Sequence, residues 1–531
     1  MKRRQFLMAS AATFGVAIVP GLTGVGSAKA QSQSVLKFIP QADLAVIDPH
    51  GTPAYVTRNH AMLVYDTLYG VDANNVPQPQ MIETGVQSDD GLLWTLTLRD
   101  GLKFHDGSPV RGADVVASLN RWMKKDGFAG ALANVLVKLD APDDKTIAFS
   151  LSKPFPILPD LLGKMASYST GIMPERLALT DPNTPVEEII GSGPYRFVME
   201  ERVPGSLNVY EKFDDYVPRS EPAENLAGGK IAHFDRIEWH TIPDPATAAA
   251  ALQAGEVDWW EQPTPDLLPI FEGSDVSVEV KDRSGALGLL RMNCLQPPFN
   301  NPKIREVVLK ATNQTQFMLA GVGDNEELWS VPQGFFNPKS ALASTEGLDT
   351  FVETKDFDAL KKELIDAGYK GETVVLLATA DYPVINAFGE VAADMMRKLG
   401  MNVDLQVQDW ATMASRMKNT GPVSDGGYSA FGNFSAGAGA MNPASHTYLR
   451  SGKDTAFDGW PDIPEIEVLR AAWFDARTVE EQAEIGRKIQ EIALKQVPFV
   501  PLGLFYFPTA YKTNLKGILE TMPVFWNVER V

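Results

Sequence analysis

Along residues 94–104 apolar and polar positions alternate, with Trp94, Leu96 and Leu98 on one side and Thr95, Thr97 and Arg99 on the other. Asp100-Gly101 supplies a tight turn, so the segment predicts a β-hairpin with one buried face. A second turn, Asp106-Gly107-Ser108-Pro109, leads into residues 113–123, where Val115, Leu119 and Trp122 recur at helical spacing and Asp114 sits in the first turn. An alanine-rich helix over 247–254, stopped by Gly255, precedes a short strand over 256–260. Asn301-Pro302 opens a helix over 303–312. Helices over 357–367 and 384–399, each ended by glycine, precede apolar strands over 373–378 and 403–407. A last helix over 479–495 is followed by an apolar strand over 498–504. Helix-then-strand alternation of this kind predicts an α/β fold in the second half. Residues 421–442, rich in Gly, Ser and Ala with Tyr428, Phe431 and Phe434 set among them, read as loop and short strand.

The first thirty residues follow a different pattern. Lys2, Arg3 and Arg4 begin the chain, residues 6–25 are mostly apolar or small, and Ala28-Lys29-Ala30 forms a cleavage signal before Gln31. This is a secretory signal peptide, 1–30, and Arg3-Arg4-Gln5-Phe6-Leu7 matches the twin-arginine export pattern. No later run approaches the roughly 20 apolar residues that cross a bilayer. The expectation is a soluble periplasmic protein of a Gram-negative cell, without direct membrane insertion. Cys294 is the sole cysteine, so there is neither an internal disulfide nor a lipid anchor at the cleavage site. The signal carries four basic residues and no acid, so its removal takes the formal charge from −19 to −23. A surface this acidic repels phosphate backbones and argues against nucleic acid. A mature chain of about 500 residues exceeds one core and implies two or three domains.

Residues 99–120, RDGLKFHDGSPVRGADVVASLN, resemble the signature of family 5 extracellular solute-binding proteins, the dipeptide-, oligopeptide- and nickel-binding receptors of ABC importers. Three further segments match in order: Gly191-Ser192-Gly193-Pro194-Tyr195-Arg196-Phe197, the run from Asp244 through AGEVD to Asp258, and Asn293 with residues 298–305. Ile47-Asp48-Pro49 extends the likeness to the mature start. The resemblance implies a two-lobed α/β periplasmic-binding-protein fold with a hinge and an inserted subdomain. By analogy lobe I takes 31–75, 190–286 and 495–531, the insertion 76–189, and lobe II 287–494. The motifs themselves read as turns and scaffold, and His105 as an exposed loop histidine.

The resemblance also implies where a solute sits: after IDPH at Tyr55, after AGEVD at Trp259, Trp260, Glu261 and Gln262, at the second-lobe crossover at Arg291 and Asn293, and in the loop holding Phe431, Asn433 and Phe434. Neighbours in a strand face opposite ways, and Trp260 is taken as the one facing the cleft. Peptide-binding relatives carry an aspartate in that second-lobe loop to pair with the peptide's amino group. Here Phe431 and Asn433 stand near the tryptophan and acid positions. A neutral amide cannot supply the charge-assisted bond, so the pattern points away from a peptide held by a free amino terminus, unless Asp425 or Glu261 provides the carboxylate.

The implied function is capture of a small organic solute or short peptide and its delivery to ABC permease subunits, by a monomer without cofactor or metal. A peptide-binding chaperone or a sensor-coupled receptor is the alternative. Catalysis finds no support: none of the six histidines, His50, His60, His105, His233, His240 and His446, lies in a nucleophile motif. GxSxG, HExxH, CxxC, P-loop and GxGxxG patterns are all missing.

Overall fold

The computed structural model describes residues 34–165 and 168–531. The signal-peptide reading, with Arg3-Arg4 and Ala28-Lys29-Ala30, lies outside them.

Two large mixed sheets form two lobes. The first has seven strands in the order Val276–Glu279, Thr509–Lys512, Trp259–Trp260, Val35–Ile39, Arg236–His240, Leu207–Lys212 and Tyr195–Phe197. Val35–Ile39 runs parallel to both of its neighbours, which are reached by long excursions of the chain. The second sheet has six strands, Trp329–Ser330, Val500–Phe505, Ala286–Met292, Ala430–Ala436, Thr373–Thr379 and Asn402–Gln408. Every residue of Ala286–Met292 is buried, as suits a central strand covered on both faces. A four-stranded antiparallel sheet, Ile82–Gln87, Leu93–Leu98, Thr146–Leu151 and Leu136–Asp140, lies within the expected insertion.

The chain passes between the large sheets twice, through 280–285 and through 506–508. The expected return to lobe I near 495 is therefore too early: Val500–Phe505 bonds to Ala286–Met292 and completes the second sheet. Its apolar run carried no mark of which sheet it would join.

The alternation at 94–98 is realised, with Trp94, Leu96 and Leu98 buried, yet the expected hairpin is absent. Gly101 makes its turn at φ +80°, but Leu93–Leu98 pairs with Ile82–Gln87 and Thr146–Leu151 instead of with the residues after the turn. The helix Gly112–Met123 begins with a one-sided cap in which the Arg111 N–H donates to the Asp114 carboxylate. Helices Pro245–Ala254 and Pro302–Ala311 start at capping Asp244 and Asn301, each followed by proline, and Gly255 closes the first at φ +72°. The expected strand at 256–260 shortens to Trp259–Trp260.

His105 is not an exposed loop residue. Its Nε2 lies 3.0 Å from the Gly193 carbonyl and its backbone N–H donates to Gly191, which pins the HDG turn to the GSGPY segment. Burial pushes its pKa down to about 4, which suits a neutral structural ring.

Candidate functional site

A cavity of about 660 Å³, counting its open mouth, lies where the two crossings meet. Tyr55, Arg58, Glu261 and Gln262 line it from the first lobe, Ala286 and Ala436 from the second, with Asp282, Ser284, Gly285 and Phe507 on the crossing segments.

The helix Tyr55–Val64 puts Tyr55 and Arg58 one turn apart on the same face. The Arg58 guanidinium sits 4.8 Å from the Tyr55 ring centre and donates from Nη2 to Asn59 Oδ1 at 3.0 Å. No carboxylate of the described residues pairs with it within 4 Å. Burial pushes the Tyr55 phenol up to about 12, against the opposing pull of Arg58. The Glu261 carboxylate accepts from the Gln41 N–H at 2.8 Å and from Asn59 Nδ2 at 3.0 Å. Burial raises its pKa to about 7, with those donors and Arg58 pulling the other way. The floor thus combines an aromatic ring, an arginine that makes no salt bridge within 4 Å and a carboxyl able to hold a proton near neutrality.

Of the residues expected from sequence, Tyr55, Trp259, Glu261 and Gln262 line this cavity. Trp259 does so from a core position: its indole N–H donates to Thr509 Oγ1 at 2.6 Å and its ring packs on Phe38 and Phe525. Trp260, expected toward the cleft, packs against Ile39, Ala248 and Leu252 instead. Their strand lies inside the sheet with cores on both faces, so neither ring projects into open space.

The second-lobe expectations fare differently. Arg291 is fully buried and donates to the backbone carbonyls of Tyr448, Phe457, Asp458 and Pro498, which spends its guanidinium on clamping loops. Asn293 Nδ2 donates to the Tyr428 carbonyl. Phe431 is in the core beside Tyr428. Asn433 donates to the Tyr448 hydroxyl and accepts from the Phe434 N–H. None of these four lines the cavity. Phe434 reaches it only indirectly, by packing on Phe507 at 5.9 Å between ring centres. The inference drawn from a missing acid at Asn433 therefore loses its footing, because that position is turned to its own lobe. Asp425 is exposed.

Sequence reasoning missed Arg58, Asp282 and Phe507. Arg58 had a readable signal, since it lies three residues beyond Tyr55 in a helix. Asp282 and Phe507 became visible only once the crossings were located.

Comparison with known proteins completes the picture. The family model for bacterial extracellular solute-binding proteins, family 5, matches residues 76–455. The chain belongs to that family. A probable peptide ABC transporter periplasmic-binding protein of Sinorhizobium fredii is 34% identical over 534 residues, covering 100% of this chain and 99% of its own. A glutathione-binding protein of Salmonella typhi is 24% identical over 487 residues, 90% of each chain. Among solved structures, an ABC transporter-associated periplasmic binding protein of Helicobacter pylori superposes with TM-score 0.76 at 22% identity, covering 95% of this chain and 100% of that one. This family 5 protein is thus a solute-binding component of an ABC importer, taking peptides or similar solutes, built on the two-lobed fold. No helix among the described residues is long and apolar enough to cross a membrane.

Proposed function

We propose that the cavity at the crossings is the solute site, and that the protein works in the periplasm as a monomer that closes on a small organic solute or short peptide and hands it to permease subunits. The lobes divide at 280–285 and 506–508, with the insertion attached to the first. The observation that carries the reading is the cavity's two-sided wall: Tyr55, Arg58, Glu261 and Gln262 from one lobe and Ala286 and Ala436 from the other. A solute held there touches both lobes only when they are together, so its binding energy favours closure. The relatives' names agree with the class: one is a probable peptide receptor, another binds glutathione, and the Helicobacter pylori structure holds the peptide STSA.

Thermal-shift and calorimetric screening over short peptides, sugars, amines and aromatic acids is expected to yield a discrete class of hits, with compaction in small-angle scattering. Tyr55→Ala and Gln262→Ala are expected to weaken a hit about tenfold each, as loss of an aromatic wall or a hydrogen bond does. Absence of both stabilisation and compaction across the screen sinks the proposal.

A further inference from the structure

The cavity at the crossings is one end of a longer trough. A neighbouring cavity of about 420 Å³ shares Asp282, Ser284 and Thr521 with it. A third, of about 470 Å³, shares Asn75, Met165 and Met441 with the second. The three therefore run on from one another, from Arg58 at the crossings to Asp160 at the insertion. Along the middle stretch Arg283 and Lys339 are set against Asp282 and Glu520, so neither sign prevails there.

Asp160 is the unexplained group. It stands on the short helix Leu158–Leu162, half-buried, and lines the third cavity opposite Asn442 and Ser445 of the second lobe. No other described side chain bonds or pairs with its carboxylate, and burial pushes its pKa up to about 6. Lys164, one turn on and lining the same cavity, is committed elsewhere: Nζ donates to Asp126 Oδ2 at 2.6 Å and to the Tyr168 carbonyl at 2.9 Å. Asp126 and Lys164 neutralise each other, and the Asp160 charge is left over.

We propose that Asp160 is the cation-reading group of the solute site, taking a protonated amine at the end of the trough away from Arg58. A neutral solute laid over this carboxylate would only deepen its loss of water, whereas an ammonium supplies a charge-assisted bond. Arg58, which makes no salt bridge within 4 Å, stands at the opposite end together with Lys281, Glu261 and Asp282, where neither sign prevails. The trough is then matched to a solute with a cationic end, lying in one orientation. The assignment rests on the solute-receptor reading above.

The test is calorimetric titration of the full mature chain with three pools: free di- to pentapeptides, the same peptides acetylated at the amino terminus, and diamines with polyamines. Wild type and Asp160→Asn are compared, with Asp160→Glu as the charge-preserving control and circular dichroism as the check on folding. Wild type is expected to bind the free peptides at least about tenfold more tightly than the acetylated ones, the scale of one lost ionic hydrogen bond. Asp160→Asn is expected to lose that preference and Asp160→Glu to retain most of it. A response confined to amines, and lost in Asp160→Asn, supports the same assignment with a non-peptide solute. Binding by wild type that is indifferent both to acetylation and to Asp160→Asn overturns the assignment and leaves the receptor standing. Binding of none of the pools by wild type, with no hit in the wider screen, removes the receptor reading and the assignment with it.

Discussion

Glu261 is the residue whose protonation the cleft itself sets. Buried and facing Asn59, its carboxyl titrates near 7, against 4.5 when free. The folded chain therefore holds a proton between those values that the unfolded chain has released. Stability from this group is greatest at the acid side of the window and declines as pH rises from about 4.5 to about 7, by up to about 1.4 kcal/mol per pH unit. His50 and His60, both pushed down to about 3 by burial, slope the other way below neutrality but are common to any pair of variants differing at 261. Glu261→Gln is expected to remove the Glu261 slope, so that wild type loses stability relative to the variant from pH 5 to 7. Urea unfolding at pH 5, 6, 7 and 8 measures it, and parallel curves would contradict the assignment. Arg291 shows the reverse relation between charge and site. An arginine in a cleft and an arginine tying backbone carbonyls together look alike in sequence, and only the carbonyls of residues 448–498, remote along the chain, tell them apart.

At the scale of elements, legibility followed how local the signal was. Helices with a capping side chain, a proline at the first position or a closing glycine could be placed within a residue or two, as at Pro302–Ala311, because their ends are fixed by neighbours in sequence. Strand partners could not: the alternation at 94–98 is right, but its pairing depends on Thr146–Leu151, some fifty positions on. The site was legible in part for the same reason. Tyr55 and Glu261 follow recognisable motifs, whereas the second-lobe loop was placed by analogy and faces its own core. The GSGPY segment illustrates why family motifs are mostly scaffold. A Cβ on Gly191 would come 1.9 Å from the Val64 carbonyl oxygen, and one on Gly193 2.5 Å from that of Leu63. The segment lies directly against the end of the helix that carries Tyr55 and Arg58. Gly191→Ala is accordingly expected to cost about 3 kcal/mol by overpacking, read as a lower denaturation midpoint. A midpoint within error of wild type would mean that this approach is not required.

At the scale of the molecule, the insertion and the second lobe also touch through residues that line none of these cavities. Phe128 and Phe155 of the insertion meet Phe474 of the second lobe, each with ring centres 6.0 Å apart, and Phe128 also meets Trp473 at 6.1 Å. Insertion and second-lobe residues consequently share one apolar cluster. The adjoining ion pair, Lys153 with Asp475 at 3.1 Å, is exposed at both ends and adds little. The aromatic contact exists only while the jaws are together, so it acts as a latch on the arrangement that encloses the solute. Its loss should raise the apparent dissociation constant of any solute in proportion to the fall in the closed population, without altering a cavity residue. Phe474→Ala removes a ring worth about 1 to 2 kcal/mol at such a contact. The expected result is a five- to thirtyfold weaker affinity for a solute found by screening, carried mainly by faster release. Stopped-flow dissociation and small-angle scattering on the unliganded variant check this together. If affinity and compactness both match wild type, closure is governed by the crossings at 280–285 and 506–508 alone, and the aromatic contact is packing without consequence for binding.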